Sequence, residues 1–189
     1  MVVMLIRSLS MIKLHIGCGW RNFGKDWVHI DGGDYQHLDH QDIFLEKYSD
    51  NSVDLIYSSH MLEYFDRDEV VKILQKWWCV LSSTGTLRLA VPDFTSMVNL
   101  YSKGIVKLSN ILGPLYGKME MGNDIVYHKT VYDFEELSTI LQDIGFKNIK
   151  KYDWKTTEHS QYDDHSQAYI PHMDKSNGTL ISLNVEASK

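Results

Sequence analysis

Short apolar runs with strand character alternate along the chain with segments of helical periodicity. Residues 12–16 alternate between apolar and polar side chains, a period of two that predicts a strand ending at Gly17. Similar patterns predict further strands at residues 27–31, 53–57 and 86–91. From Asp66 the apolar residues fall three to four positions apart, which predicts an amphipathic helix between the last two of these strands. Strands separated by helices predict an α/β layered fold with a largely parallel sheet.

The second half of the chain ends in a helix and two strands. An apolar stripe between Asp133, a candidate N-cap, and Gly145, a candidate C-cap, predicts the helix. Residues 147–154 and 179–187 have strand character, and no helical pattern lies between them. We therefore expect the last strands to pair antiparallel. A further helix is predicted near residues 95–103, before an irregular stretch that is rich in glycine.

Length and composition favour a single globular domain over residues 1–189. The chain is 43% hydrophobic and 23% charged, and its formal net charge of −6 gives no electrostatic reason to bind nucleic acid. No apolar run approaches the ~20 residues that span a membrane. Cys18 and Cys79 are too few for a disulfide framework, so the expected compartment is cytoplasmic. Residues 1–10 are expected to form an N-terminal extension, with Met11 as an alternative start.

A glycine loop follows the first predicted strand. In open α/β sheets ligands bind beyond the carboxyl ends of the strands, which is where Gly17, Cys18 and Gly19 lie. The second strand ends in Asp31, a carboxylate that can accept from both hydroxyls of a ribose. A lone Gly-x-Gly is also typical of an ordinary tight turn. The loop and the carboxylate together indicate a nucleoside site.

The length of the connection between the first two strands distinguishes a dinucleotide site from a site for a phosphate-free nucleoside. Only residues 17–27 connect them, which leaves room for at most a turn or two of helix. A dinucleotide site rests its pyrophosphate on a full helix N-terminus and has a third glycine where this chain has Asn22. Nicotinamide cofactors are therefore disfavoured, and a phosphate-free nucleoside fits better. A poorly covered strand face would also explain Lys13 and His15 in the first strand.

Five motifs in order resemble the class I S-adenosylmethionine-dependent methyltransferases. They are LHIGCG (14–19), DWVHID (26–31), QDI (41–43), NSVDLIYSSHMLEYF (51–65) and TGTLRLAVPDF (84–94). The sequence is most similar to the small bacterial branch with a GCG…GW.N.D loop, a type 11-like methyltransferase, and residues 128–146 resemble a later helix of the family. The resemblance implies a Rossmann-like, mostly parallel sheet with an antiparallel last strand and a shortened first crossover.

The same resemblance implies where S-adenosyl-L-methionine would bind. The glycine loop would pass along its methionine and ribose parts, Asp31 would bind the ribose, and a second loop would reach the adenine edge. The implied contacts are Gly17, Cys18, Gly19, Asp31, Asp42 with the backbone of Ile43, and Ser58 and Ser59 at the methionine end. Three places depart from the family pattern. His15 stands where an acidic residue is usual, Tyr64 replaces the histidine of an LEH motif, and LSSTG (81–85) stands where LKPGG is usual.

His60 and Glu63 are the predicted catalytic residues. Methyl transfer from a sulfonium needs a base only if the acceptor must lose a proton, and an imidazole suits that role. Glu63 follows His60 by three positions and would share a face with it on a helical turn. The alternatives are a histidine bound to backbone and a carboxylate placed by a helix dipole. His128 is either a residue that closes over the substrate or a surface histidine.

Two histidine-rich stretches, residues 37–42 and 159–165, contain possible metal ligands, but their spacing matches no known site and we predict no metal.

Residues 95–127 are predicted to form a substrate lid. The sequence thus predicts a methyltransferase that acts on an unidentified small-molecule or sugar acceptor. The alternatives are a non-catalytic S-adenosylmethionine-binding module that partners another protein and, less well supported, a nucleotide-dependent oxidoreductase.

Overall fold

The computed structural model describes residues 11–121 and 124–189, so the predicted extension at residues 1–10 lies outside the described residues. The strands are β1 (Lys13–Ile16), β2 (Val28–Ile30), β3 (Val53–Ser59), β4 (Leu81–Pro92), β5 (Met119–Met121), β6 (Asp124–Val126), β7 (Lys147–Lys151), β8 (Tyr169–Ile170), β9 (Thr179–Leu180) and β10 (Ser182–Ser188). The α-helices are α1 (Arg67–Val80), α2 (Phe94–Ser102), α3 (Leu108–Tyr116) and α4 (Phe134–Ile144).

One mixed sheet organises the molecule, in the strand order β2-β1-β3-β4-β10-β7. Strand β1 pairs in parallel with β2 and β3, and β3 pairs in parallel with β4. Strand β10 is antiparallel to both β4 and β7. This arrangement confirms the predicted α/β fold, with its mostly parallel sheet and antiparallel last strand.

Helices α1 and α4 cover one face of the sheet, as their apolar stripes predict. The side chain of Asp66 accepts from the backbone N–H groups of Asp68 and Glu69, and Glu69 accepts from the N–H of Asp66, which completes the expected capping box. Asp133 caps α4, and Gly145 ends that helix in a left-handed conformation. Alternate residues of the central strands, such as Leu14 and Ile56, pack with both helices in the main core.

The first crossover is short, as predicted: residues 17–27 contain no helix and connect β1 to β2 as coil. Its aromatic side chains take the place of a helix. Phe23 and Trp27 pack on Leu55 and Tyr57 of β3 to form a second, aromatic cluster on the opposite face of the sheet. A segment that leaves the sheet after β7 and returns to it at β10, residues 152–181, closes over this cluster.

The prediction that His15 lies on a poorly covered strand face is wrong. Its side chain is fully buried, and its ring stacks on Phe23 with centroids 4.0 Å apart. The crossover and the 152–181 segment supply this cover, and burial holds the pKa of His15 well below its usual value. Lys13, at the start of the strand, is half-buried, with its ammonium 3.9 Å from Glu158.

The stretch after β4 consists of α2, α3 and the antiparallel β5–β6 hairpin. Helix α2 confirms the helix predicted near residues 95–103, whereas α3 and the hairpin have no clear sequence signal. Met97, Leu100 and Ile111 join the two helices to Ile181 in a small third core. No helix in the described ranges is long and apolar enough to cross a membrane.

Candidate functional site

The glycine loop and Asp31 meet at the carboxyl ends of β1 and β2. The backbone N–H of Gly17 donates to the carbonyl of Ile30 at 2.8 Å, which ties the loop to the neighbouring strand. The carboxylate of Asp31 accepts from the N–H of Gly19 at 2.7 Å through Oδ2 and from the N–H of Gly33 at 2.8 Å through Oδ1. A carboxylate has about four lone-pair positions, so both oxygens keep capacity for further donors.

Glycine is required at the first loop position. Gly17 has φ +72°, and a Cβ there would lie 2.6 Å from Cγ of Met61. Gly19 also has a positive φ, of +56°. The backbone thus approaches the chain after β3 as closely as it can, and leaves no side chain between itself and a ligand.

Cys18 points into the protein, with Sγ 3.7 Å from Nε2 of His37. Its side chain is fully buried, and Sγ contacts the carbonyl of Gly19 at 3.5 Å. Burial, with the nearby Asp31 carboxylate, raises the pKa of the thiol to about 12. The small side chain fits the space under the loop.

Two buried hydroxyls end β3 beside the loop. Ser58 and Ser59 are both buried, and neither Oγ has a hydrogen-bond partner within the described ranges. A Cβ on Gly17 would lie 3.9 Å from Oγ of Ser58, so this hydroxyl adjoins the loop. Unpaired buried polar groups cost free energy, and a bound polar ligand would satisfy them.

Asp42 and Ile43 lie in the loop that connects β2 to β3. The carboxylate of Asp42 accepts from the backbone N–H groups of Phe44, at 3.0 Å, and Glu46, at 2.5 Å, so it stabilises its own turn. The carbonyl of Ile43 accepts from Nε1 of Trp77 at 2.8 Å, which anchors the loop to α1. Their contact with an adenine edge stays a prediction.

His60 and Glu63 come together directly after β3. Residues Leu62–Tyr64 form a 3-10 turn, and the Nδ1 atom of His60 lies 3.6 Å from Oε1 of Glu63. His60 is in the left-handed region, with φ +51°, and its Nε2 lies 3.0 Å from Oγ of Ser182 at the start of β10. The structure therefore brings together the two predicted catalytic residues.

Burial sets the proton affinities of this pair. The Glu63 side chain has no exposed surface, and burial raises its pKa to about 8. Burial lowers the pKa of His60 well below its usual value, and nearby His165 and His128 lower it further. Both groups therefore favour their uncharged forms near neutral pH.

Two histidines lie beside this pair in the structure, and the sequence alone does not place them there. Nε2 of His128 lies 3.8 Å from Oε1 of Glu63, and Tyr64 packs edge-on against the His128 ring. His165 packs against His60 with ring centroids 5.2 Å apart. In the sequence, His165 belongs to a histidine-rich stretch and His128 is a candidate to close over the substrate, but their distance along the chain from His60 and Glu63 hides their proximity to that pair.

The second histidine-rich stretch has structural roles. Asp164 accepts hydrogen bonds from the hydroxyls of Tyr57 and Ser166, and His159 packs in the aromatic cluster. Throughout residues 11–121 and 124–189, no group of three or more His, Cys, Asp or Glu side chains is arranged to hold a metal ion.

Comparisons with known proteins agree with this geometry. Residues 15–89 match the family model described as a methyltransferase domain. An S-adenosylmethionine-dependent methyltransferase from Archaeoglobus fulgidus has 16% identity and a TM-score of 0.58, with 95% of this chain and 86% of that one covered. One from Methanosarcina mazei has 16% identity and a TM-score of 0.54, covering 94% and 91%. A search of curated proteins finds no significant match.

A third solved structure contains ligands. It is the 1,6-didemethyltoxoflavin-N1-methyltransferase of Burkholderia thailandensis, with bound 1,6-didemethyltoxoflavin and S-adenosylhomocysteine, at 11% identity and a TM-score of 0.53, covering 94% of this chain and 70% of that one. The predicted small bacterial branch stays a prediction. The methyltransferase-domain match over residues 15–89 and the shared fold together support a class I S-adenosylmethionine-dependent methyltransferase with S-adenosyl-L-methionine as its cofactor.

Proposed function

We propose that the protein moves the methyl group of S-adenosyl-L-methionine to a small-molecule or sugar acceptor by in-line displacement. The observation that carries the proposal is the position of Asp31. Its carboxylate ends β2, is held against the glycine loop by the N–H of Gly19, and retains lone pairs for the hydroxyls of a ribose. No helix lies between β1 and β2 at residues 17–27, so the site offers no helix N-terminus for a pyrophosphate.

The residues present fit the cofactor. The unpaired hydroxyls of Ser58 and Ser59 would contact its methionine end, and the glycine loop leaves backbone free beside it. The proposed binding residues are Gly17, Cys18, Gly19, Asp31, Asp42, Ile43, Ser58 and Ser59. When bound, the cofactor supplies an activated methyl group on a sulfonium, so the main task of the protein is to orient an acceptor and exclude water.

His60 is the proposed general base for an acceptor that must lose a proton. Its Nδ1 makes no hydrogen bond within the described part of the chain, and its lone pair can take the proton of a hydroxyl when Glu63 is ionised. The carboxyl of Glu63, once ionised, would stabilise the resulting imidazolium at 3.6 Å. Glu63 is therefore the proposed partner of the base.

A small acceptor agrees with the charge and with one relative. The net charge of −6 does not favour nucleic acid. The Burkholderia enzyme was solved with a small molecule, 1,6-didemethyltoxoflavin.

We further propose that residues 95–127 form a lid over the acceptor, since α2 and α3 expose the apolar side chains of Val98, Tyr101, Leu108, Leu112 and Tyr116. A cytoplasmic location remains our expectation.

Release of S-adenosylhomocysteine tests the proposal. The protein is incubated with S-adenosylmethionine and a panel of small phenols, heterocyclic N–H compounds and sugars, and the product is quantified by mass spectrometry. We expect at least one acceptor to raise the rate tenfold or more above the rate without acceptor, with a mass gain of one methylene on that acceptor. Cofactor binding without acceptor-dependent product across the whole panel would contradict a small-molecule or sugar acceptor.

A further inference from the structure

The carboxyl of Glu63 is fully buried and makes no hydrogen bond in the described ranges. Within those ranges, its nearest potential ion-pair partners are two histidines and no lysine or arginine. Oε1 lies 3.6 Å from Nδ1 of His60 and 3.8 Å from Nε2 of His128. A buried carboxylate without a cation is costly, so the protons on these two rings decide the state of Glu63.

The hydrogen bonds beyond His60 fix its tautomer. The side-chain amide of Asn184 donates to the carbonyl of Ser166 at 2.9 Å, which turns its Oδ1 toward Ser182. The Ser182 hydroxyl has one proton and donates it to Oδ1 at 2.9 Å, so toward His60 it can only accept. Nε2 of His60 therefore carries the hydrogen, and Nδ1 of the neutral ring presents a lone pair to Glu63.

The tautomer of His128 follows from a single contact. Its Nδ1 lies 3.1 Å from the carbonyl oxygen of Pro114, which can only accept. Nδ1 therefore carries the hydrogen, and Nε2 of the neutral ring presents a lone pair to the same Oε1 atom of Glu63. Two nitrogen lone pairs, on Nδ1 of His60 and Nε2 of His128, thus face Oε1 of Glu63.

We propose that Glu63 holds one proton in the resting protein and shares it between His60 and His128, and that His128 is a positioning residue for the His60–Glu63 pair. A lone pair facing a carboxylate would be repelled, whereas a protonated carboxyl is attracted to either ring and could donate to one after an approach of less than about 1 Å. The proton arrangement rests on geometry alone, and its catalytic use rests on the proposed function. Burial favours the same state, because it raises the pKa of Glu63 and lowers those of His60 and His128.

His128 then has a defined chemical task. When the proton passes from Oε1 of Glu63 to Nε2 of His128, the O–H bond breaks and an N–H bond forms, which leaves a carboxylate beside His60. That carboxylate favours proton uptake at Nδ1 of His60. The other titratable groups near the trio are Tyr64 and Tyr132 beside Glu63, and His165 and Arg21 beside His60.

His128 also connects the pair to the predicted lid. Its backbone N–H donates to the carbonyl of Tyr116 at 2.8 Å, at the end of α3. Gly117 follows with φ +55°, and a Cβ there would lie 2.4 Å from Nε2 of His128. Only glycine leaves space for the ring, so a movement of α3 would move the nitrogen that faces Glu63.

Histidine tautomers measured by NMR test the proposal without a substrate. The full-length protein is labelled with ¹⁵N-histidine, and long-range ¹H–¹⁵N spectra are recorded from pH 5 to 9. We expect Nε2–H on His60 and Nδ1–H on His128 at neutral pH, with both rings responding to one shared step at higher pH. In Glu63→Gln, whose amide donates as the protonated carboxyl does, both tautomers should persist and the shared step should vanish.

Variants that remove or displace the His128 ring, which faces Glu63, complete the test. His128→Gln should move the midpoint of the His60 response by at least one pH unit, and Gly117→Ala should do the same by displacing the ring. Gly113→Ala is the matched control in the same helix, because a Cβ there meets no residue within 4 Å beyond its chain and helix neighbours. An Nδ1–H tautomer on His60, or an unchanged His60 response in His128→Gln, would overturn the proposal. Neither result depends on methyl transfer, so failure of the proposed function would be seen separately.

Discussion

At the scale of single residues, the site is distinguished by polar groups that lack partners. Ser58, Ser59 and Glu63 are all buried near the carboxyl end of β3, and none of these side chains makes a hydrogen bond in the described ranges. An unpaired buried group costs about 1–3 kcal/mol, so several of them together indicate a place where binding and proton transfer outweigh stability.

The sequence indicates some of these residues and not others. Asp31, His60 and Glu63 follow predicted strands closely, so their positions at one edge of the sheet can be inferred from the chain. Ser182 lies 122 positions from His60 and carries no motif, so its contact appears only when β10 inserts beside β4. The proximity of His128 to Glu63 is hidden for the same reason.

Gly17→Ala tests how closely the loop approaches β3. We expect a loss of about 1–3 kcal/mol in the free energy of unfolding, since the new Cβ would meet Met61 and the residue would keep a positive φ. Cofactor affinity should fall as well. Urea unfolding gives the first quantity and calorimetric titration the second. Gly113→Ala in α3, where the new Cβ meets no residue beyond its chain and helix neighbours, should cost less than Gly17→Ala, and equal effects of the two substitutions would contradict the loop geometry.

Glu63→Gln tests the buried carboxyl through the pH dependence of stability. The folded protein keeps the Glu63 proton up to about pH 8, whereas the unfolded chain releases it near 4.5. The native state therefore binds more protons at this one group, and the contribution of Glu63 to stability should fall as pH rises through this window, as measured by the difference between wild type and Glu63→Gln. At about 1.4 kcal/mol per pKa unit, the full effect is at most about 5 kcal/mol.

The Gln variant should lack this slope, and urea unfolding at pH 5, 6.5 and 8 measures it. Glu135→Gln on the exposed side of α4 provides the control, with the same chemical change at the surface. Parallel pH profiles for wild type and Glu63→Gln would show that the Glu63 carboxyl is ionised at neutral pH and holds no proton to share with the two histidines.

At the scale of elements, the helices that can be predicted from the sequence are those set by local features, namely an apolar stripe and a side-chain N-cap. Helices α1 and α4 have apolar stripes and side-chain N-caps, and both occur where the stripes predict them. The spacing of the first two strands allows a turn or two of helix in residues 17–27, yet these residues form none. In that crossover the burial of Phe23 and Trp27 decides the conformation, and their partners on β3, Leu55 and Tyr57, lie more than 20 positions away.

Asp66→Ala tests the start of α1. The side chain of Asp66 accepts from two backbone N–H groups and belongs to a capping box, so its removal should cost about 1 kcal/mol, within a range of about 0.5–2. Asp133 accepts from one N–H on α4, and Asp133→Ala should cost less. Both are measured by urea unfolding. A larger loss from Asp133→Ala would show that contacts other than capping stabilise these helix ends.

At the scale of the whole molecule, one long excursion compensates for the missing crossover helix. Residues 152–181 bring His159 and Tyr162 onto Phe23, and Arg21 in the crossover donates to the carbonyl of Asp163 at 2.9 Å. This segment has almost no periodicity, so the sequence could not reveal that it covers the sheet. Because residues 152–181 cover this face of the sheet, His15 in β1 is fully buried.

The central claim is that this fold presents a nucleoside site built on the glycine loop and Asp31. Thermal unfolding with S-adenosylmethionine, S-adenosylhomocysteine and NAD, each added separately, tests it most directly. At ~100 times the dissociation constant a ligand stabilises by about 2.7 kcal/mol, which for a domain of this size raises Tm by about 5–11 °C.

We expect both sulfur nucleosides to raise Tm and NAD to leave it unchanged. In Asp31→Asn the rise should shrink to a small fraction, whereas Asp34→Asn, an exposed neighbour with the same change in charge, should keep it. An equal rise with NAD, or an undiminished rise in Asp31→Asn, would contradict a nucleoside site built on this carboxylate.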